Sequence, residues 1–289
     1  MLLQLLANGL VMGAIYALVA LGFALVYNTT RIFHIAYAIV YVFMAYMFYS
    51  LHRTLQMPLI ISFAGAILFT IILSLLIEII IYQPLNRAKA SQNVIMISSI
   101  GVMIVVVNMI AMFYGSETKV LNAEISSSVT FGHIILTTVQ MSQIIISLFL
   151  IVMFLLFLKF SQFGIKTRAL RDDDELCSVF GLDIGKIRLT LFALSAFFAA
   201  VGSGLVAYDV GMDPYVGLPM LLNAVVALII GGVGRFEAPI LGGFLIGLLQ
   251  ALAVWAFSSR WQDAVTFVLL IFFLLFRPQG LLGEKQRAY

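Results

Sequence analysis

Gly164 to Arg188 reads GIKTRALRDDDELCSVFGLDIGKIR, the longest polar interruption in a chain that is otherwise almost continuously apolar. Asp172, Asp173 and Asp174 offer side-chain oxygens to the unpaired N–H groups of a helix start, and their charge, with that of Glu175, suits the positive end of the helix dipole. Leu176, Val179 and Phe180 then fall at i, i+3 and i+4 on one face, and Gly181 supplies the left-handed backbone that ends a helix. The stretch predicts a two-turn amphipathic helix. Such a helix is too short to be stable alone, so its apolar face needs a membrane surface or a partner's groove. Lys159, Lys166, Arg168, Arg171, Lys186 and Arg188 surround it. Because Lys and Arg set the orientation of membrane proteins, 159–188 is expected to be a cytoplasmic loop.

Over the whole chain, hydrophobic residues make up 63% and charged residues 10%, where a soluble domain carries about a quarter charged. The mean hydropathy is +1.13. The apolar runs have the length of a membrane-spanning helix, about 20 residues, rather than the roughly 10 alternating residues of an outer-membrane strand. The expected fold is an all-α polytopic membrane protein, a single transmembrane domain over 1–289 with eight to nine spanning helices and the short cytoplasmic helix. A formal charge of +3 does not point to nucleic acid, because the cations sit in a few loops beside the spans and report topology. The single cysteine, Cys177, excludes an intramolecular disulfide. Leu2 to Tyr27 has no cationic lead and reads as a span rather than a cleaved signal.

Taken in order, the first span contains Gly9 and Gly13 with Tyr16 beyond them, and small residues four apart let another helix approach closely. Arg31 to Ser50 is interrupted by His34, Tyr37, Tyr41, Tyr46 and Tyr49, polar groups that are costly against lipid. Glu78 closes the span that begins at Pro58, at a depth where a carboxylate needs a partner or water. Val94 to Tyr114 carries Asn108 as its deep polar group. The segment 115–143 is rich in Ser and Thr, holds one cation, Lys119, and is expected to face outward. Ile144 to Leu158 returns to the cytoplasmic loop. After the Leu189 to Tyr208 span and a Gly- and Pro-containing turn, Asn223 leads to Gly231, Gly232 and Gly234, a backbone that bends or packs tightly. Ile240 to Phe257 and Ala264 to Phe276 are the last two spans, with Lys285 and Arg287 expected to hold the C-terminus inside. Gly9-x-x-x-Gly13-x-x-x-Ala17-Leu18 recurs as Gly243-x-x-x-Gly247-x-x-x-Ala251-Leu252.

Four blocks, in order, resemble the permeases of branched-chain amino acid ABC importers. GLVMGAIYALVALG from Gly9 is similar to that family's opening pattern. Glu78-x-x-x-Tyr82-x-Pro84-Leu85 is similar to its Glu-x-x-x-Tyr-x-Pro-Leu. Glu175 and Gly181 resemble the Glu-Ala-Ala-x-x-x-Gly docking loop of ABC importer permeases, with Leu176 and Cys177 in place of the alanines. The fourth block, Gly231 to Gly234 with the closing Arg277 to Gly283, is also similar. Where the family reads Asn-Phe-Ala-His-Gly, this chain has His34 to Ala38, HIAYA, which leaves the cargo open.

The resemblance implies a permease subunit in a bacterial inner (plasma) membrane, with a second homologous permease, two ATP-binding subunits and an extracytoplasmic substrate-binding protein as partners. It implies that Arg168, Arg171, Asp174, Glu175, Leu176, Val179, Phe180 and Gly181 couple the chain to an ATP-binding subunit. Tyr16, His34, Tyr37, Asn108 and Asn223 are the candidates for a translocation path. Gly9, Gly13, Gly231, Gly232, Gly234, Gly243 and Gly247 are candidates for packing or hinge positions. No catalytic constellation, metal-ligand spacing or phosphate-binding Gly-x-x-x-x-Gly-Lys motif occurs. ATP and Mg would therefore be held by the partner subunits, and this chain is expected to be a transporter subunit, not an enzyme. Nearly uncharged span interiors suit a small neutral or zwitterionic solute such as a branched-chain amino acid. The alternative is a secondary carrier or channel for a small solute such as urea or a short amide.

Overall fold

A computed structural model of the chain describes residues 2–121, 127–132 and 134–283. In hydrocarbon no water satisfies backbone N–H and C=O groups, so a spanning chain of this composition closes its hydrogen bonds within helices. The first is α1, Leu2–Thr30; α2, Tyr37–Tyr49, runs on as a π-helical turn, Ser50–Thr54. Next, α3, Leu59–Ile77, continues through a second π-helical turn, Glu78–Tyr82, into α4, Gln83–Arg87, and α5 covers Gln92–Tyr114. A two-stranded antiparallel hairpin, β1 Ser128–Phe131 and β2 Ile134–Thr137, pairs Ser128 with Thr137. The remaining helices are α6 Thr138–Phe160, α7 Gln162–Asp172, α8 Asp174–Val179, α9 Ile184–Val210, α10 Gly217–Gly231, α11 Ala238–Ala256 and α12 Gln262–Phe276.

Among the described residues, seven helical segments are long and apolar enough to cross a membrane: α1, α3 with α4, α5, α6, α9, α11 and Ser259–Phe276. The shorter α2 and α10 occupy the other two apolar stretches, so the all-α polytopic architecture is as expected. Three boundaries differ from the sequence reading. The span expected from Arg31 becomes helical only at Tyr37, after a left-handed turn at Arg31 (φ 57°). The loop 115–143 contains the hairpin, and α6 starts at Thr138, six residues before the apolar run. The loop 159–188 holds a whole additional helix, α7.

The chain packs as two compact units, one of Met1–Ala24, Glu124–Leu155 and Pro219–Tyr289, the other of Leu25–Ala123 and Leu156–Leu218. In the first, α1 and α11 run antiparallel through the repeated small residues. A Cβ added at Gly9 would lie 2.6 Å from Ala251 Cβ, one at Gly247 2.5 Å from Gly13 Cα, and one at Gly243 2.5 Å from Ala17 Cα. Gly9 therefore faces Ala251, Gly13 faces Gly247 and Ala17 faces Gly243. The two copies of the repeat pack on each other about a local two-fold axis. At the start of α1, the Gln4 carboxamide donates to Ile135 O and accepts from Ile135 N, both at 2.7 Å, placing the hairpin and the helix start on one side. At the other end, Leu281 and Leu282 N–H donate to Ile230 and Gly231 carbonyls at 2.8 Å, so the last described segment seats on the end of α10.

In the second unit, α2 is the central helix, packed against α3, α5 and α9. Tyr37, Met44, Tyr46 and Phe48 are all buried. Ser203 Oγ donates to the Tyr41 carbonyl at 2.5 Å, and a Cβ on Gly204 would meet Phe63 at 2.5 Å. A Cβ on Gly217 would lie 2.6 Å from Val42 Cγ2. The start of α10 therefore sits beside the early turns of α2. Arg53 Nε donates to Leu121 O at 2.9 Å, and Lys119 and Met212 exchange backbone bonds of 2.8 and 2.9 Å, joining three connections on one side.

The seam between α1 and α11 leaves no room for a side chain at Gly247. Gly247→Ala is expected to destabilise the chain by about 1–3 kcal/mol through overpacking. Gly101→Ala, whose Cβ would meet nothing within 4 Å, leaves the isolated chain close to wild type. Thermal unfolding of the detergent-solubilised variants checks the contrast.

Candidate functional site

Three groupings of side chains carry polar or recognition chemistry. The first is the loop between α6 and α9. Ser161 caps α7, accepting from Gly164 N at 3.0 Å, and a Cβ on Gly164 would overlap the Leu158 carbonyl. Arg168 Nη1 donates to that carbonyl at 2.7 Å, so it closes the end of α6, and Arg171 pairs with Asp172 at 2.8 Å. α7 runs through Asp172, and the cap of α8 is Asp173, whose Oδ1 accepts from Leu176 N at 2.8 Å. Asp174 is exposed in the first turn of α8; the Glu175 side chain lies outside the described residues. Gly181 ends the segment at φ 76°. Leu176, Val179 and Phe180 are 54%, 80% and 77% exposed, whereas Cys177 is buried. Asp183 caps α9, and its hydrogen bond from Lys186 N (3.1 Å), with the Lys186 ammonium at 3.0 Å, holds its carboxyl below the usual range.

The second grouping lies in the first unit and joins four helices through one residue. Gln250 Oε1 accepts from Tyr16 OH at 2.9 Å, and its Nε2 donates to Asn223 Oδ1 at 3.2 Å and to Thr266 Oγ1 at 2.8 Å. Tyr16, Asn223, Gln250 and Thr266 are all buried. Tyr16 and Gln250 occupy the same position of the α1/α11 repeat, so their bond lies on its local axis. Beside Asn223 and Thr266 is a small recess of about 70 Å³ that Asp263 also lines.

The third lies in the second unit, at the start of α2. Ser99 Oγ accepts from Ala36 N and from Tyr82 OH, both at 2.7 Å. With its one proton directed to Ser99, the Tyr82 hydroxyl accepts from His34 Nδ1 at 2.8 Å. This assignment leaves His34 Nε2 unprotonated, and it is buried with no partner among the described residues. The His34 ring sits against Tyr37, Tyr82 and Phe192, with centroids 5.2 to 5.9 Å away. One turn from Tyr82, Glu78 is fully buried and bound twice by Arg188: Nε to Oε1 at 2.9 Å and Nη2 to Oε2 at 3.2 Å. A recess of about 170 Å³ lies elsewhere in this unit, lined by Tyr41, Thr118, Ser203, Met212 and Asp213 among others.

Four of the five path candidates thus fall into buried polar groupings, Tyr16 with Asn223 and His34 with Tyr37. Asn108 joins neither: it is on the exposed face of α5 and donates to its own helix, Nδ2 to Ile104 O at 2.7 Å. Gln250, Thr266, Tyr82 and Ser99 were not among the sequence candidates, because an isolated polar residue in an apolar helix gains meaning only when its partner is known. Of the glycines, Gly9, Gly13, Gly243 and Gly247 form the seam. Gly232 (φ 121°) and Gly234 (φ 101°) take backbone that other residues avoid, and Gly231 packs on Ala238.

The model of the family described as branched-chain amino acid transport system / permease component matches residues 5–274. The high-affinity branched-chain amino acid transport system permease protein BraD of Pseudomonas aeruginosa is 31% identical over 298 residues, 98% of this chain and 96% of that protein. LivH of Escherichia coli (strain K12), of the same description, is 28% identical over the same shares. The probable branched-chain amino acid transport permease protein LivH of Methanocaldococcus jannaschii is 26% identical over 97% of this chain and 92% of its own length. A chain in the structure of PsaBC from Streptococcus pneumoniae in complex with Fab shares the fold, with a TM-score of 0.56 at 14% identity, over 96% of this chain and 93% of that one.

Breaking the buried ion pair from one side strands a charge. Arg188→Met is expected to cost about 3–5 kcal/mol, and the double variant Glu78→Leu, Arg188→Met recovers most of it. Unfolding temperatures of the two single variants and the double variant measure this directly.

Proposed function

The chain belongs to the family of branched-chain amino acid transport permeases, and on that premise we propose that it is a membrane-spanning subunit of an ABC importer for branched-chain or other small neutral amino acids. The observation that carries the reading is the face of α8. Three large apolar side chains stand exposed on a capped two-turn helix that is too short to persist by itself. Fully burying each against a partner is worth about 1.5–3 kcal/mol. A groove on an ATP-binding subunit supplies that burial, on the cytoplasmic side to which the Lys and Arg distribution assigns 159–188.

The proposed cycle is alternating access. Closure of two ATP-binding subunits displaces α8, and the displacement passes into the second unit by covalent continuity, through α7 on one side and α9 on the other. Ser161 and Arg168 fix α7 to the end of α6, and the Glu78–Arg188 pair fixes the base of α9 to the end of α3, so α8 has little slack to absorb the movement. A second homologous permease completes the pathway, and a soluble binding protein delivers the solute from outside to this multi-pass protein of the bacterial inner membrane. Tyr16 and Asn223 in one unit, and His34 and Tyr37 in the other, are the proposed contacts along the path. ATP and Mg belong to the partner subunits.

In cells supplying the whole complex, Val179→Asp with Phe180→Asp is expected to lower branched-chain amino acid uptake at least about tenfold, since one lost 1.4 kcal/mol of docking energy already gives that factor. Gly181→Pro is expected to do the same by removing the left-handed cap. Wild-type uptake by both variants, at matched membrane levels, would refute the docking role of α8.

A further inference from the structure

The recess of about 170 Å³ in the second unit lies between α2, the segment just after α5 and the end of α9. It is on the side where Lys119 and Met212 exchange backbone bonds, the side that the Lys and Arg distribution assigns to the outside. Its walls are aliphatic: Ala45 of α2, Val206 and Ala207 of α9, and Val216. An apolar cavity of about 150 Å³ holds benzene, so the recess has room for an aliphatic body of similar bulk.

Two polar side chains meet over these walls. The Lys119–Met212 bridge is antiparallel, which sets Thr118 opposite Asp213, and both line the recess. Thr118 is exposed at the mouth and Asp213 is half-buried. Tyr215 N–H donates to Asp213 Oδ1 at 2.8 Å. Ion pairs among the described residues join Arg171 to Asp172, Lys186 to Asp183 and Arg188 to Glu78, and Asp213 is in none of them. No Lys, Arg or His lines the recess, so its fixed charge is negative. A carboxylate against apolar walls calls for a counter-charge. A hard metal ion collects about six oxygen ligands or more, which aliphatic walls do not offer. The chemistry that fits is a primary ammonium on a short aliphatic body.

We propose that this recess is an outer binding site for the solute. Asp213 accepts from the ammonium of a neutral amino acid, the Thr118 hydroxyl donates to its carboxylate at the mouth, and its aliphatic side chain lies against Val206, Ala207 and Val216. This rests on the importer reading above and adds a site to it. Tyr37, Tyr41 and Ala45 fall at i, i+4 and i+8 on one face of α2, and Tyr41 and Ala45 line the recess. A solute leaving it along that face comes next to Tyr37. The Asp213 charge disfavours acidic solutes, and the size of the recess disfavours bulky ones.

The test uses the complex without its binding protein, in vesicles of phosphatidylcholine, a lipid with no primary amine. Val216→Cys is the reporter, since the chain's own Cys177 is buried, and the rate at which a polar maleimide modifies position 216 is followed with added solutes. L-Leucine and isoamylamine, which both carry the ammonium, are expected to slow modification severalfold. Isocaproate, with leucine's body and carboxylate and no ammonium, is expected to leave the rate unchanged. Adding Asp213→Asn is expected to raise the leucine concentration for half protection about tenfold, the size of one lost hydrogen bond between charged groups. Protection by isocaproate equal to that by leucine, no protection by leucine, or a position 216 that the maleimide never reaches overturns the proposal. If leucine gives no protection while ATP hydrolysis still rises with the loaded binding protein, the importer reading stands without this site; if no ATP-binding subunits accompany the chain, both fall.

Discussion

Glu78 and Arg188 carry opposite full charges into an apolar interior, and each is tolerable there because of the other. The two are 110 residues apart in sequence, so the bond exists only once α3 and α9 lie side by side, and it fixes their register. That register brings Tyr82, one turn along, to His34 and Ser99, and Ser99 in turn receives the N–H of Ala36, the residue just before α2. The central helix of the second unit is thus held by a chain of partners that begins at one ion pair. The proposed route from α8 passes the same place, because α9 is both the helix that follows α8 and the helix anchored to α3.

The first unit meets the same demand by a different device. Carbonyls and amides are satisfied within helices, so the attraction between α1 and α11 comes from closeness, and closeness requires Gly9, Gly13, Gly243 and Gly247. At the centre of that contact, where a buried polar group has to be paired, the repeat places tyrosine in one copy and glutamine in the other, and they bond to each other. Gln250 has capacity left and uses it on Asn223 and Thr266, which ties α10 and α12 to the same point. A connected buried network of this kind favours one arrangement of four helices.

Much of this was legible in the sequence, and the remainder was not for identifiable reasons. The spans were readable because a membrane imposes length and apolarity on every crossing. α8 was readable because Asp173 and Gly181 mark its ends and three apolar residues mark its face. α7 was not: it is mostly polar, so it lacks a strong apolar period, and Ser161, its one clear start signal, stands at the end of a span. The hairpin after α5 is hidden in a Ser- and Thr-rich stretch with no turn dipeptide. The repeat of Gly9 to Leu18 in Gly243 to Leu252 was visible, but its meaning was not, because sequence does not say that the two copies touch. Asn108 read as a deep polar group of its span; only the structure shows it on the outside of α5. The positions of Lys285 and Arg287 lie outside the described residues.

ATP-driven import by a permease subunit has a consequence that no carrier or channel shares: its ATP-binding subunits travel with it, and their hydrolysis responds to cargo. The most direct measurement is to isolate the chain from native membranes, return the preparation to lipid vesicles, and record ATP hydrolysis with the binding protein, with and without a branched-chain amino acid. Co-isolated ATP-binding subunits whose hydrolysis rises severalfold with the loaded binding protein are the predicted result. A chain that isolates alone, and passes the same solute in vesicles without ATP, would contradict it.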